Sequence, residues 1–182
     1  MKGYNIMRIE TYTNTINIET YIRDFVNVDE FIQYCKECNA YDKKWSCPSF
    51  DFDPIDYWRK FSQLKVYGKK IYLKDDDTIT MDNFNDYITE VKLALTDELY
   101  EEEKKIPGSV ALSAGSCIYC GEDNCEKKYH RPCKFPEKLR YSIEALGGNV
   151  GMTAQKLLGI ELLWCEENSL PEYFVLVGGL LY

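Results

Sequence analysis

Residues 110–133 read VALSAGSCIYCGEDNCEKKYHRPC, and this stretch decides how the rest of the chain is organised. It opens on a short apolar run, Val110 to Ser113, which predicts a strand. It then delivers four cysteines, Cys117, Cys120, Cys125 and Cys133, into a loop rich in polar residues. A strand that feeds a cysteine-rich loop predicts a domain in which a small sheet carries the loops that bind metal.

Upstream, Asp82 to Lys105 predicts the longest helix, with Phe84, Tyr87, Ile88, Val91, Leu95 and Leu99 on one apolar face. Pro107 and Gly108 stop it. Before it, Lys65 to Leu73 predicts a strand, and the acidic trio Asp75, Asp76 and Asp77 a solvated turn. Further back, Pro54 opens a short helix through Trp58 and Phe61, and Val28 to Cys38 predicts another, with Phe31, Ile32 and Cys35 at helical spacing. Tyr4 to Glu10 and Thr15 to Tyr21 alternate apolar and polar residues as strands do. Downstream, Glu137 to Leu146 reads as a helix capped by Gly147 and Gly148, and Thr153 to Leu158 as a short one. Ile160 to Cys165 and Tyr173 to Leu181 then read as a pair of antiparallel strands. The expected fold is α+β or α/β, with a small mixed or antiparallel sheet, flanking helices and cysteine-rich loops.

With 182 residues, 45% of them apolar and 29% charged, the chain suits one domain, residues 1–182, with a real core. A net charge of −8 argues against nucleic acid as a partner, which calls for clustered excess Lys and Arg. Met1 to Arg8 lacks the apolar stretch of a secretory signal. The longest apolar run, Phe174 to Tyr182, is too short to span a membrane and carries Gly178 and Gly179. The expectation is a cytoplasmic protein with no membrane partner. In a reducing compartment, eight cysteines point to metal or redox chemistry and not to a disulfide framework.

Seven of the eight fall into two groups. The first is Cys35, Cys38 and Cys47, with Pro48 after it; the second is Cys117, Cys120, Cys125 and Cys133, with Pro136 after it. In a Cys-x-x-Cys pair a tight turn aims two thiolates at one centre, and two such pairs with further cysteines nearby make a specific signal for a metal site. The second group alone supplies enough thiolates for one iron–sulfur cluster of the 4Fe-4S type. Around its last member lie Lys127, Lys128, Arg131, Lys134, Lys138 and Arg140, against only Glu126 and Glu137. Such a basic island suits an anionic cluster, although an ordinary surface patch has the same composition.

Zinc is the alternative, as a structural ion without redox activity. It takes four thiolates, or three with His130, or the two pairs Cys35/Cys38 and Cys117/Cys120 joined as in a ribbon. The first group is one ligand short. Cys165 folding back, an open iron facing substrate or solvent, a non-cysteine ligand, or a merely structural site each account for that, with Cys165 read as a buried core thiol. Trp45 and Tyr119 are placed to shield a cluster from water.

Other chemistries lack their motifs. There is no Gly-x-Gly-x-x-Gly and no phosphate-binding loop ending in Lys-Ser or Lys-Thr, and Gly147 to Gly151 follows a helix as a cap would. A catalytic Ser-His-Asp set would have to run through the single histidine, His130. Cys35 and Cys38 fall near a helix end and not at the helix N-terminus that a thioredoxin-like pair uses.

Tyr34-Cys35-x-x-Cys38 followed by Trp45-Ser46-Cys47-Pro48, and Cys117-x-x-Cys120, Cys125, Cys133-x-x-Pro136 followed by Arg140 to Gly147, together resemble a family of predicted metal-binding proteins, domain of unknown function 2284. The resemblance covers about Tyr34 to Val150. It implies metal binding, with an iron–sulfur centre commonly supposed, in a family common in anaerobic bacteria and archaea, and it implies no established reaction. The expected role is that of an iron–sulfur protein handling single electrons with a redox partner, or supplying a cluster to one.

Overall fold

The structure is a computed structural model of the chain and describes residues 8–73, 78–121, 124–165 and 169–182. Two apolar runs set its middle. β2 (Gln63–Tyr72) and β4 (Tyr173–Leu181) pair antiparallel, with Leu64 opposite Leu181 and Ile71 opposite Phe174. β1 (Ile9–Asn17) adds to the free edge of β2 and the short β3 (Val110–Leu112) to that of β4. The result is a four-stranded sheet in the order β1-β2-β4-β3, antiparallel throughout.

Because side chains alternate along a strand, the sheet is apolar on both faces. Leu64, Val66, Leu112, Val177 and Leu181 point to one side, and Tyr67, Ile71, Ala111, Leu176 and Leu180 to the other. The second side is covered by α4 (Phe84–Lys105) through Val91, Leu95 and Leu99. Its approach is close: a Cβ on Gly178 would stand 2.9 Å from both Leu99 Cδ1 and the Leu112 carbonyl oxygen. The first side is covered by α1 (Ile18–Phe25), α3 (Pro54–Trp58) and α5 (Val150–Thr153), which runs on into a π-helical turn, Ala154–Leu158. Polar atoms in this layer are satisfied. The fully buried Trp58 donates its indole N–H to the Leu146 carbonyl at 2.9 Å, and the Tyr21 hydroxyl meets that of Thr153 at 2.8 Å. The fold is α+β, as expected, and the sheet is purely antiparallel.

Three segments differ from their sequence pattern. Thr15 to Tyr21 does not continue as a strand, because Asn17 caps α1 and accepts from the N–H groups of Glu19 and Thr20. Glu137 to Leu146 is not a helix. It holds two 3₁₀ turns, Pro136–Lys138 and Glu144–Leu146, with an extended piece between them. There Ser113 donates its N–H to the Tyr141 carbonyl at 2.9 Å and bridges Ser142. Ile160 to Cys165 does not pair with β4, both of whose edges are taken by β2 and β3. The first proposed strand falls mostly outside the described residues, as do Asp75, Asp76 and Asp77, and β1 starts only at Ile9.

Candidate metal centre

The first cysteine group grows out of α2 (Val28–Glu37), capped at its start by Asn27. Cys35 lies in the last turn and Cys38 is the C-cap, its N–H bonded to the Cys35 carbonyl at 3.0 Å. The pair therefore occupies a helix C-terminus, where the dipole does nothing to favour a thiolate. A run of turns then folds the chain back. Asp42 accepts from the Ser49 hydroxyl at 3.0 Å, and Cys47 donates its N–H to the Lys44 carbonyl at 3.0 Å. Cys47 is thereby returned, buried, towards the helix end.

The second group leaves the sheet at β3. Gly115, at φ +75°, turns the chain into Ser116 and Cys117. A turn closed by the Gly121 N–H on the Ile118 carbonyl, 3.0 Å, holds Cys117 and Cys120 side by side. After Cys125 comes a 3₁₀ turn, Glu126–Tyr129, ended by His130 in the left-handed region. The carboxylate of Glu126, the buried first residue of this turn, draws in Arg131 and Lys134, the latter at 2.9 Å. All four cysteines line one small pocket, closed by Trp45, Tyr119, Phe135 and Leu139.

The two loops clasp each other. Lys44 donates to the Cys117 carbonyl and the Cys117 N–H to the Ser46 hydroxyl, both at 3.0 Å. The Trp45 indole donates to the Arg131 carbonyl at 3.0 Å. Lys127 reaches the other way and donates to the carbonyls of Cys47 and Ser49 at 3.0 and 2.9 Å. Burial pushes the Cys35 thiol up to about 11, with Cys47, Glu144 and Cys38 as the charges facing it. Burial also raises Cys117, which faces Cys133 and Cys125, and Cys120, which faces Cys125, Cys117 and Cys133. Cys47 is raised by burial as well, and Lys44 partly offsets this both there and at Cys117.

The donor chemistry fits a soft metal centre. Of the seven thiols Cys47 and Cys125 are buried, Cys38 is exposed and the others are half-buried; thiols that repel one another as thiolates are stabilised as a set by a cationic metal or cluster between them. Among the described residues, no three His, Cys, Asp or Glu side chains already stand in an arrangement that would hold a single ion. A cluster asks for less convergence than one ion does, since each cysteine binds a different corner iron.

Several residues fall elsewhere than the sequence suggested. Cys165 is exposed and not a core thiol, next to Trp164, which is 76% exposed. His130 is exposed, outside the pocket of the second group. The basic island is largely spoken for. Arg140 pairs with Glu103, Lys134 and Arg131 with Glu126, and Lys138 lies over the Tyr119 ring, while Lys127 turns inward to the clasp and Lys134 also faces Cys120. Sequence reasoning missed Lys44, Lys92 and Glu144. Lys92, on α4, donates to the Ser116 carbonyl, and burial lowers its pKa. Burial raises that of Glu144.

Among the described residues no helix is long and apolar enough to cross a membrane. A family model described as predicted metal-binding protein (DUF2284) matches residues 21–182, and the chain belongs to this family. No curated protein and no solved structure matches the chain.

Proposed function

We propose, from the premise of membership in a predicted metal-binding family, that the chain holds iron–sulfur centres at its two cysteine groups and passes single electrons to or from a redox protein partner. The observation that carries this reading is the pocket lined by Cys117, Cys120, Cys125 and Cys133 together. Four thiols around one small pocket, walled by aromatic rings, suit a 4Fe-4S cluster. Bound there, the cluster supplies one-electron chemistry without proton or group transfer.

The chain's own groups have definable parts. Lys44 lines the pocket and also faces Cys47, so one ammonium offsets the negative charge of both centres. Trp45 and Tyr119 keep water from the second centre, and desolvation of an anionic cluster is one of the levers on its potential. A reducing cytoplasmic setting follows from the free thiols that such ligands require.

The test is anaerobic purification or reconstitution of the full chain, with iron, sulfide and zinc counted on one sample beside its visible spectrum. Brown protein bleached by dithionite, with sulfide matching iron, is the expected result. The Cys133→Ser variant is then expected to keep about half the wild-type iron, because the first group retains its own ligands. Colourless protein with stoichiometric zinc would replace this reading with a structural zinc module.

A further inference from the structure

Three cysteines supply one thiolate fewer than a four-cornered centre takes, and the cavity beside them shows what stands in the remaining direction. It measures about 250 Å³ and opens against Cys35. One wall is the face of α2 that carries Val28, Ile32 and Cys35, spaced so that they share a side of the helix. Glu144 also lines it, from the 3₁₀ turn that packs on α2.

That packing is tightly fixed. The Asn27 N–H donates to the Gly147 carbonyl at 2.9 Å. Gly147 has φ +80°, and a Cβ there would stand 2.8 Å from Val28 Cα. This fixes the Glu144–Leu146 turn against the first turn of α2, while the Glu144 carboxylate, whose Oε1 would stand 3.7 Å from a Cβ on Gly115, faces two of the three thiols, Cys35 and Cys47. The carboxylate is hydrogen-bonded by its own backbone and the Ser142 side chain, and it is faced by Lys92, which also donates to the Ser116 carbonyl. Cys165, the remaining cysteine, is exposed and is not among the groups that face Cys35 or Cys47.

We propose that Glu144 is the fourth ligand of the centre held by Cys35, Cys38 and Cys47, an oxygen donor entering from the cavity side. This rests on the iron–sulfur reading above. A carboxylate is a harder and weaker partner for this iron than a thiolate, so the corner it holds is the exchangeable one.

The test uses the full chain reconstituted anaerobically as wild type, Glu144→Ala and Glu144→Cys. Ferricyanide accepts one electron from the centre; the oxygen-held corner iron then leaves as Fe²⁺, and the remaining three-iron centre has its own EPR signal. The wild type is expected to show that signal with matching iron release, Glu144→Ala to release iron faster, and Glu144→Cys to slow release by roughly tenfold or more. Equal release from wild type and Glu144→Cys, with both folded by circular dichroism, overturns the proposal. If Glu144→Cys does not fold, cyanide titrated onto the reduced protein decides. It is expected to bind Glu144→Ala at lower concentration than wild type, and equal binding overturns the proposal. A wild type that takes up no iron and sulfide fails one step earlier and removes the underlying reading with it.

Discussion

Trp58 is the largest side chain with no exposed surface, and its indole N–H is what satisfies the Leu146 carbonyl at the end of the Glu144–Leu146 turn. Replacing it with Phe leaves that carbonyl unpaired and opens a void beside Tyr21. The expected cost is about 2 to 4 kcal/mol, read by urea denaturation. A smaller cost than this would mean that water enters and bonds to the carbonyl. At this scale the sequence is uneven evidence. Cys117, Cys120, Cys125 and Cys133 were legible as a set because thiolate chemistry needs close spacing, and they line one pocket. Glu144 was not legible, since within Glu137 to Leu146 it reads as one more polar residue on a helix. The signal that was available is Ser142, whose hydroxyl accepts from the Ala145 N–H at 3.3 Å, as a cap does at the start of a new turn.

Elements with a strong period were legible in the sequence. α4 buries Val91, Leu95 and Leu99 from its predicted face, and β2 and β4 lie where their apolar runs put them. The misses share a cause, which is contact with distant chain. Glu137 to Leu146 unwinds because Ser113, far away in sequence, takes the Tyr141 carbonyl. Ile160 to Cys165 finds no edge because β3 has claimed it. β4 also carries a constraint that hydropathy does not express. Gly178 lies under α4 and against β3, so Gly178→Ala overpacks both at once. About 1 to 3 kcal/mol is expected from such a clash, a fall in Tm of roughly 3 to 10 °C by calorimetry. An unchanged Tm would mean that α4 rides higher on the sheet than its contacts indicate.

Across the whole molecule, the two cysteine loops are tied to each other by side-chain hydrogen bonds in both directions. Lys127 is the main tie from the second loop to the first, its side chain only 11% exposed and bonded to the Cys47 and Ser49 carbonyls. Removing it in Lys127→Met forfeits two charge-assisted bonds worth about 1.5 to 3 kcal/mol each. Iron is then expected to be lost first from the three-cysteine centre, as counted after desalting, while the four-cysteine pocket stays loaded. Simultaneous loss from both would show that the clasp acts as one unit. The clasp joins residues 73 positions apart in the chain, Lys44 and Cys117. A ribosome therefore releases Cys35, Cys38 and Cys47 well before the segment that braces them exists. During that interval the three thiols are open to oxidants and stray metals, so on the reading proposed above a first centre is loaded only once translation has passed the second group.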